Sequence, residues 1–139
     1  MESETHWRHI VTGEIIELDT GSFADVVNGT EKLVIVEFYT TSCPNCRTME
    51  PVFQELAGEM AEYAVFARIN AQVHHSIAQS HGVMGVPTFK FFCGGRPIAE
   101  DVGAQHATML RNTIKDLVKR RTECIGKSTP ISYEMDGYG

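Results

Sequence analysis

The stretch VIVEFYTTSCPNCRTMEP, residues 34–51, decides how this chain is read. A run of apolar and β-branched residues ends in Cys43 and Cys46, with two residues between the cysteines. The run has the character of a strand buried on both faces, interrupted only by Glu37. After the cysteines, Met49, Val52, Phe53, Leu56 and Met60 recur at helical spacing on one face. A strand that runs through a cysteine pair into a helix admits three readings: a metal clip, a structural staple or a redox centre.

Composition narrows the choice. With 139 residues, 42% of them hydrophobic, the chain suits one domain that buries roughly two thirds of its unfolded surface and needs no disulfide to fold. Four cysteines, at 43, 46, 93 and 124, are too few and too unevenly spaced for the disulfide framework of a small secreted domain. The opening MESETHWRHIVTGE carries acids and histidines where a secretory signal carries a basic and then an apolar segment. No stretch reaches the length of about eighteen apolar residues that spans a bilayer, so a soluble, cytoplasmic protein with no membrane partner is expected. The net charge is −6, and the one dense basic run, residues 119–121, falls where a helix ends and complements its dipole. Nucleic acid is not an expected partner.

Outward from the cysteines, periodicity alternates strands with helices. Residues 14–18 form an expected edge strand and 21–29 a short helix closed by Gly29; the buried strand spans 32–40. Pro51 removes a backbone donor inside the long helix, which predicts a kink there. A strand over 64–70 and a short helix over 74–82 follow, then an antiparallel hairpin, 88–95 and 96–103, turning at Gly94-Gly95. The last helix, 106–121, carries Leu110, Ile114, Leu117 and Val118 on one stripe. The fold class is therefore α/β, with a central mixed β-sheet sandwiched by α-helices. Residues 1–12 and 122–139 show neither period and are expected to be a flexible extension and a flexible tail.

Cys43 falls at the N-terminus of the long helix, where unpaired N–H groups and the helix dipole stabilise a thiolate, and Pro44 suits the first helical position. Cys43 is the expected nucleophile. Cys46, one turn on, is within reach of a tight disulfide, with its sulfur turned inward as a resolving thiol. A metal clip needs two more ligands, for which Cys93, Cys124, His74 and His75 are the candidates. Adjacent histidines on a helix point about 100° apart and seldom share one ion. Cys93 reads as a buried thiol and Cys124 as an exposed one; His6, Trp7 and His9 belong to the extension. Met49, Met60, Met84 and Met109 fit core or groove positions.

The combination VEFYTTSCPNC, then GVMGVPTF about forty residues later, FFCGGRP and DVGA resembles the thioredoxin family over roughly residues 14–121. The resemblance implies a thioredoxin fold over 13–121 and an enzyme, a protein disulfide oxidoreductase whose redox-active disulfide is Cys43–Cys46. It implies that Pro87 is a cis-proline facing the cysteines and that the Val86 backbone pairs with an extended substrate segment. Gly103 matches a glycine that lets substrate approach. Glu37 matches the buried acid beneath the resolving cysteine, with glutamate in place of the usual aspartate, and burial would let it take the Cys46 proton near neutral pH. Arg68 stands where lysine is common and would keep Glu37 ionised if the two pair. Two positions depart from the family: Ser42 replaces a tryptophan at the rim of the substrate groove, and Pro44-Asn45 replaces Gly-Pro between the cysteines. The implied partners are proteins with disulfides and a thioredoxin reductase or small-thiol electron donor. No cofactor or metal is implied, and a monomer is expected.

Overall fold

In a computed structural model, residues 14–120 are described. Nine elements follow one another: β1 (Ile15–Leu18), α1 (Phe23–Asn28), β2 (Leu33–Tyr39), α2 (Pro44–Glu59), β3 (Ala64–Asn70), α3 (His75–Ser80), β4 (Thr88–Cys93), β5 (Arg96–Val102) and α4 (Ala107–Lys119). The readings made on residues 1–12 and 122–139, including those on Trp7 and Cys124, lie outside the described residues.

The sheet order is β1-β3-β2-β4-β5. β1, β3 and β2 run parallel; β4 pairs antiparallel with β2, and β5 with β4. The expected mixed sheet, parallel in its first part and closed by a hairpin, is what forms. Parallel neighbours need crossovers, and α1 and α2 supply them. At the hairpin turn Gly94 and Gly95 have φ of 59° and 85°, the left-handed backbone that a two-residue turn between twisted strands requires. At Gly95 a Cβ would also collide with the Asn28 side chain.

β2 is central, and its side chains alternate between two cores. Leu33 and Ile35 pack with Met49, Phe53 and Leu56 of α2 and with Leu110, Ile114 and Leu117 of α4. Val34, Val36 and Phe38 pack on the other face with Phe23, Val26 and Val27 of α1 and Ala78 of α3. Pro51 lies inside α2 without ending it. Of the four methionines read as core or groove residues, Met49 and Met60 are in the core, whereas Met84 and Met109 are 96% and 59% exposed and lie outside it. Met109 points outward because it sits one position before Leu110, on the far side of a stripe set by Leu110, Ile114 and Leu117. Cys93 is buried, as read, but it is disulfide-bonded and not a thiol.

Candidate active site

The end of β2 delivers the chain to the cysteines. Cys43 is the N-cap of α2, with extended backbone (φ −95°, ψ 113°), and Pro44 takes the first helical position. The Cys43 sulfur accepts the backbone N–H of Cys46 at 3.1 Å, the hydrogen bond that a serine or aspartate makes at most helix starts. Cys43 and Cys46 are joined as a disulfide, with Cα atoms 5.2 Å apart. Cys43 is 9% exposed and Cys46 3%, so the first cysteine is the more open.

A second segment meets the pair. The Val86–Pro87 peptide is cis, and the Val86 carbonyl oxygen lies 3.7 Å from the Cys43 sulfur. The Pro87 carbonyl accepts the N–H of Gly103 at 2.7 Å, and Gly103 has φ of 92°, a conformation that a side chain would strain. Val86 thus lies against Cys43, and Gly103, distant in sequence, is tied to the adjoining Pro87. Ser42 is exposed, adjacent to Cys43 at the end of the β2–α2 loop.

Glu37 is 1% exposed, on the central strand and on the face that α2 covers. That position is buried in the middle of the sheet and not at a solvated edge. Register places Glu37 beside Arg68 on β3, and Arg68 beside Glu17 on β1. Burial is the main cause that raises the Glu37 carboxyl to about 7; Arg68 opposes the rise, and Glu50 and Glu17 add to it.

Arg68 acts on Glu37 through its charge but makes no hydrogen bond to it. Arg68 Nη1 donates to Glu50 at 3.1 Å, and its Nε is 3.8 Å from Glu17. The guanidinium stacks 3.8 Å from the centre of the Tyr39 ring, and Tyr39 donates its hydroxyl to Glu17 at 2.6 Å. Glu37 Oε2 and Arg68 Nε are both buried without a hydrogen-bond partner. Burial, followed by the bond to Glu17, pushes the Tyr39 hydroxyl up to about 12. Sequence reading missed Glu17, Glu50 and Tyr39. The alternation within each strand was visible, but the register that aligns residues 17, 68 and 37 was not.

A cavity of about 320 Å³ opens beside this group, lined by Tyr39, Thr40, Thr41, Cys46, Arg47, Glu50 and Arg68. It gives solvent a way to the buried cysteine. His74, a candidate ligand in the metal reading, has its Nδ1 engaged with Thr20 Oγ1 at 3.0 Å.

A family model described as Thioredoxin matches residues 14–116. The chain belongs to the thioredoxin family. Its thioredoxin fold is shared with solved structures, among them a mutant thioredoxin from Halobacterium salinarum, at 29% identity and a TM-score of 0.70 over 76% of this chain and 91% of that one. A thioredoxin from Alicyclobacillus acidocaldarius is 30% identical over 102 residues, which is 73% of this chain and 96% of the relative. Protein disulfide-isomerase 2-3 of Arabidopsis thaliana is 32% identical over 120 residues, 84% of this chain and 27% of the relative. The chain thus spans about a quarter of the plant disulfide isomerases it matches. In this thioredoxin-family chain the two cysteines of the Cys-X-X-Cys motif are Cys43 and Cys46, at the start of α2.

Proposed function

We propose that the protein is a thiol-disulfide oxidoreductase that reduces protein disulfides through Cys43 and Cys46. The observation that carries this reading is the Cys43 sulfur capping α2, where it accepts the Cys46 N–H and lies against Val86. In the reduced protein that N–H and the helix dipole favour the thiolate. The Cys43 thiolate attacks one sulfur of the target disulfide, forming a mixed disulfide and releasing the other sulfur as a thiolate. Cys46 gives its proton to Glu37 and attacks the Cys43 sulfur. The target's second thiolate leaves, and two electrons have passed from the cysteine pair to the target.

The Val86 backbone, next to Pro87, holds an extended segment of the target by strand-like pairing, with Gly103 and Ser42 at the rim of the same groove. No bound cofactor enters these steps. Electrons return from a thioredoxin reductase or a small thiol, and the protein works as a monomer in the cytoplasm. The likeness to a bifunctional thioredoxin reductase/thioredoxin of Mycobacterium leprae, 32% identical over 120 residues, supports the first donor. A second reading, disulfide isomerisation or oxidation, is favoured by the likeness to the plant disulfide isomerases.

The test supplies electrons from a thioredoxin reductase, or from glutathione, and follows cleavage of a protein disulfide beside the refolding of a scrambled protein. Net cleavage that needs both cysteines supports the reductase. Refolding without net cleavage favours the isomerase, and neither activity contradicts both readings.

A further inference from the structure

The α2-facing side of the sheet carries a row of charge that crosses three strands: Glu17 on β1, Arg68 on β3 and Glu37 on β2. Phe89 on β4 continues the row, and Asp101 on β5 ends it, its carboxyl raised by burial. Glu50 reaches down from α2 onto the same guanidinium. One cation therefore serves three carboxylates. It spends its short contacts on the two exposed ones, Glu50 at 3.1 Å and Glu17 at 3.8 Å, while the buried one keeps an oxygen with no hydrogen-bond donor. Stacking on Tyr39, itself bonded to Glu17, fixes the guanidinium plane in that outward position.

Elementary electrostatics favours the opposite arrangement, because a cation stabilises a carboxylate most where water does not compete. What turns Arg68 outward is the combined charge and geometry of Glu50, Glu17 and Tyr39. We propose that Glu50 and Glu17 are positioning residues for the resolving step: they hold Arg68 away from Glu37, leaving that carboxyl free to carry the proton that Cys46 gives up. The proposal rests on the exchange reaction proposed above. Around Glu37 the ionisable groups are Arg68 and Glu17 on the neighbouring strands, Glu50 on α2, and Tyr39 on its own strand; Phe89 separates it from Asp101.

With Glu50 neutralised, Arg68 turns toward Glu37 and one repelling charge disappears, so both effects make Glu37 more acidic. Two readouts keep this inference separate from the reaction on which it rests. The first is a carbon-13 carboxyl NMR titration of the oxidised full chain, with Glu37 assigned through Glu37→Gln. The midpoint should fall by about one pH unit in Glu50→Gln and further in Glu50→Gln/Glu17→Gln, as expected when a cation gains access to a carboxylate. Glu50→Asp should restore most of it. On an Arg68→Met background the Glu50→Gln shift should shrink. An unchanged midpoint, or a shift of the same size without Arg68, overturns the positioning role.

The second readout is release of an aromatic thiolate from an aromatic disulfide by the reduced protein. The first thiolate leaves when Cys43 attacks, and the second when Cys46 displaces it from the mixed disulfide. The pH midpoint of the second release should move down with the NMR midpoint. If the NMR midpoint moves and this one does not, the two acids position Arg68 for something other than the resolving step, and the proposal fails. If the wild-type protein releases no second thiolate, the exchange reaction itself fails, whatever the NMR shows.

Discussion

The two faces of β2 solve the same problem differently. Toward α1 and α3 the strand presents Val34, Val36 and Phe38, apolar to its end. Toward α2 and α4 it presents Leu33 and Ile35 and then Glu37, a carboxyl with one buried oxygen left without a partner. Both faces are closed to water, so the difference is one of chemistry and not of exposure. Unpaired buried polar atoms are costly, and this one lies on the face of β2 covered by α2, the helix that carries the cysteines. A fold assembled for stability alone would continue the apolar pattern to residue 37.

Substitutions at the cysteines should break the contrast most completely. Cys43→Ser is expected to reduce disulfide cleavage to the uncatalysed background. Cys46→Ser should retain the first attack and accumulate a mixed disulfide between Cys43 and the target, visible by mass spectrometry of the intact adduct. A Cys43→Ser protein that still cleaves would show the chemistry to lie elsewhere.

Next in size come the apolar parts of each face. Phe38→Ala and Phe53→Ala each remove a fully buried ring and should cost about 3–5 kcal/mol in denaturant unfolding. Neither ring is an ionisable group, so neither loss should vary with pH. The polar part of the α2 face should behave in the opposite way. The Glu37 carboxyl is raised from 4.5 to about 7 in the folded protein, so between those values the folded state holds the proton that the unfolded state has lost. Its contribution to stability therefore falls as pH rises through this window and is lowest above about 7. Relative to Glu37→Gln, the wild type should lose about 3 kcal/mol across it, an order-of-magnitude figure from 1.36 kcal/mol per pKa unit. Parallel stability curves would show that the carboxyl is not buried as described. In kinetics, Glu37→Gln should slow release of the second thiolate by roughly a hundredfold, the lower range for losing a general base, without slowing the first.

Smaller effects belong to the periphery. Gly95→Ala should cost about 1–2 kcal/mol, because a side chain there must adopt left-handed backbone and displace Asn28. Glu59→Gln, which removes an exposed partner of Arg111 at 2.9 Å, should cost less than about 1 kcal/mol in the same unfolding assay.

Much of this contrast was legible before any coordinates. The unbroken apolar run located the central strand, and Glu37 stood out because it alone interrupted it. Cys43, Pro44 and Cys46 declared a helix start through residue types that are needed at those positions. Gly94-Gly95 marked the hairpin. What stayed hidden depends on pairing between distant segments. Glu17 and Glu50 are exposed acids of a common kind; only the crossovers that place β3 between β1 and β2, and the rotation of α2 above them, bring both to Arg68. Whether Arg68 pairs with Glu37 was open in the sequence, and no hydrogen bond forms between them because Glu50 and Glu17 take the same guanidinium. Met109 lies outside the core for a simpler reason: one residue off the stripe turns a side chain by about 100°, from the core to solvent.

The most direct test is equilibration of the purified protein in glutathione and dithiothreitol redox buffers, followed by thiol trapping and mass spectrometry, with Cys43→Ser as the control. The account predicts one reversible two-electron transition confined to Cys43 and Cys46. A potential near about −270 mV fits the reductase, and one between about −180 and −120 mV fits the isomerase or oxidase. A pair that does not titrate reversibly, or trapping that is unchanged in the Cys43→Ser control, would contradict the claim that this helix start is an exchange centre.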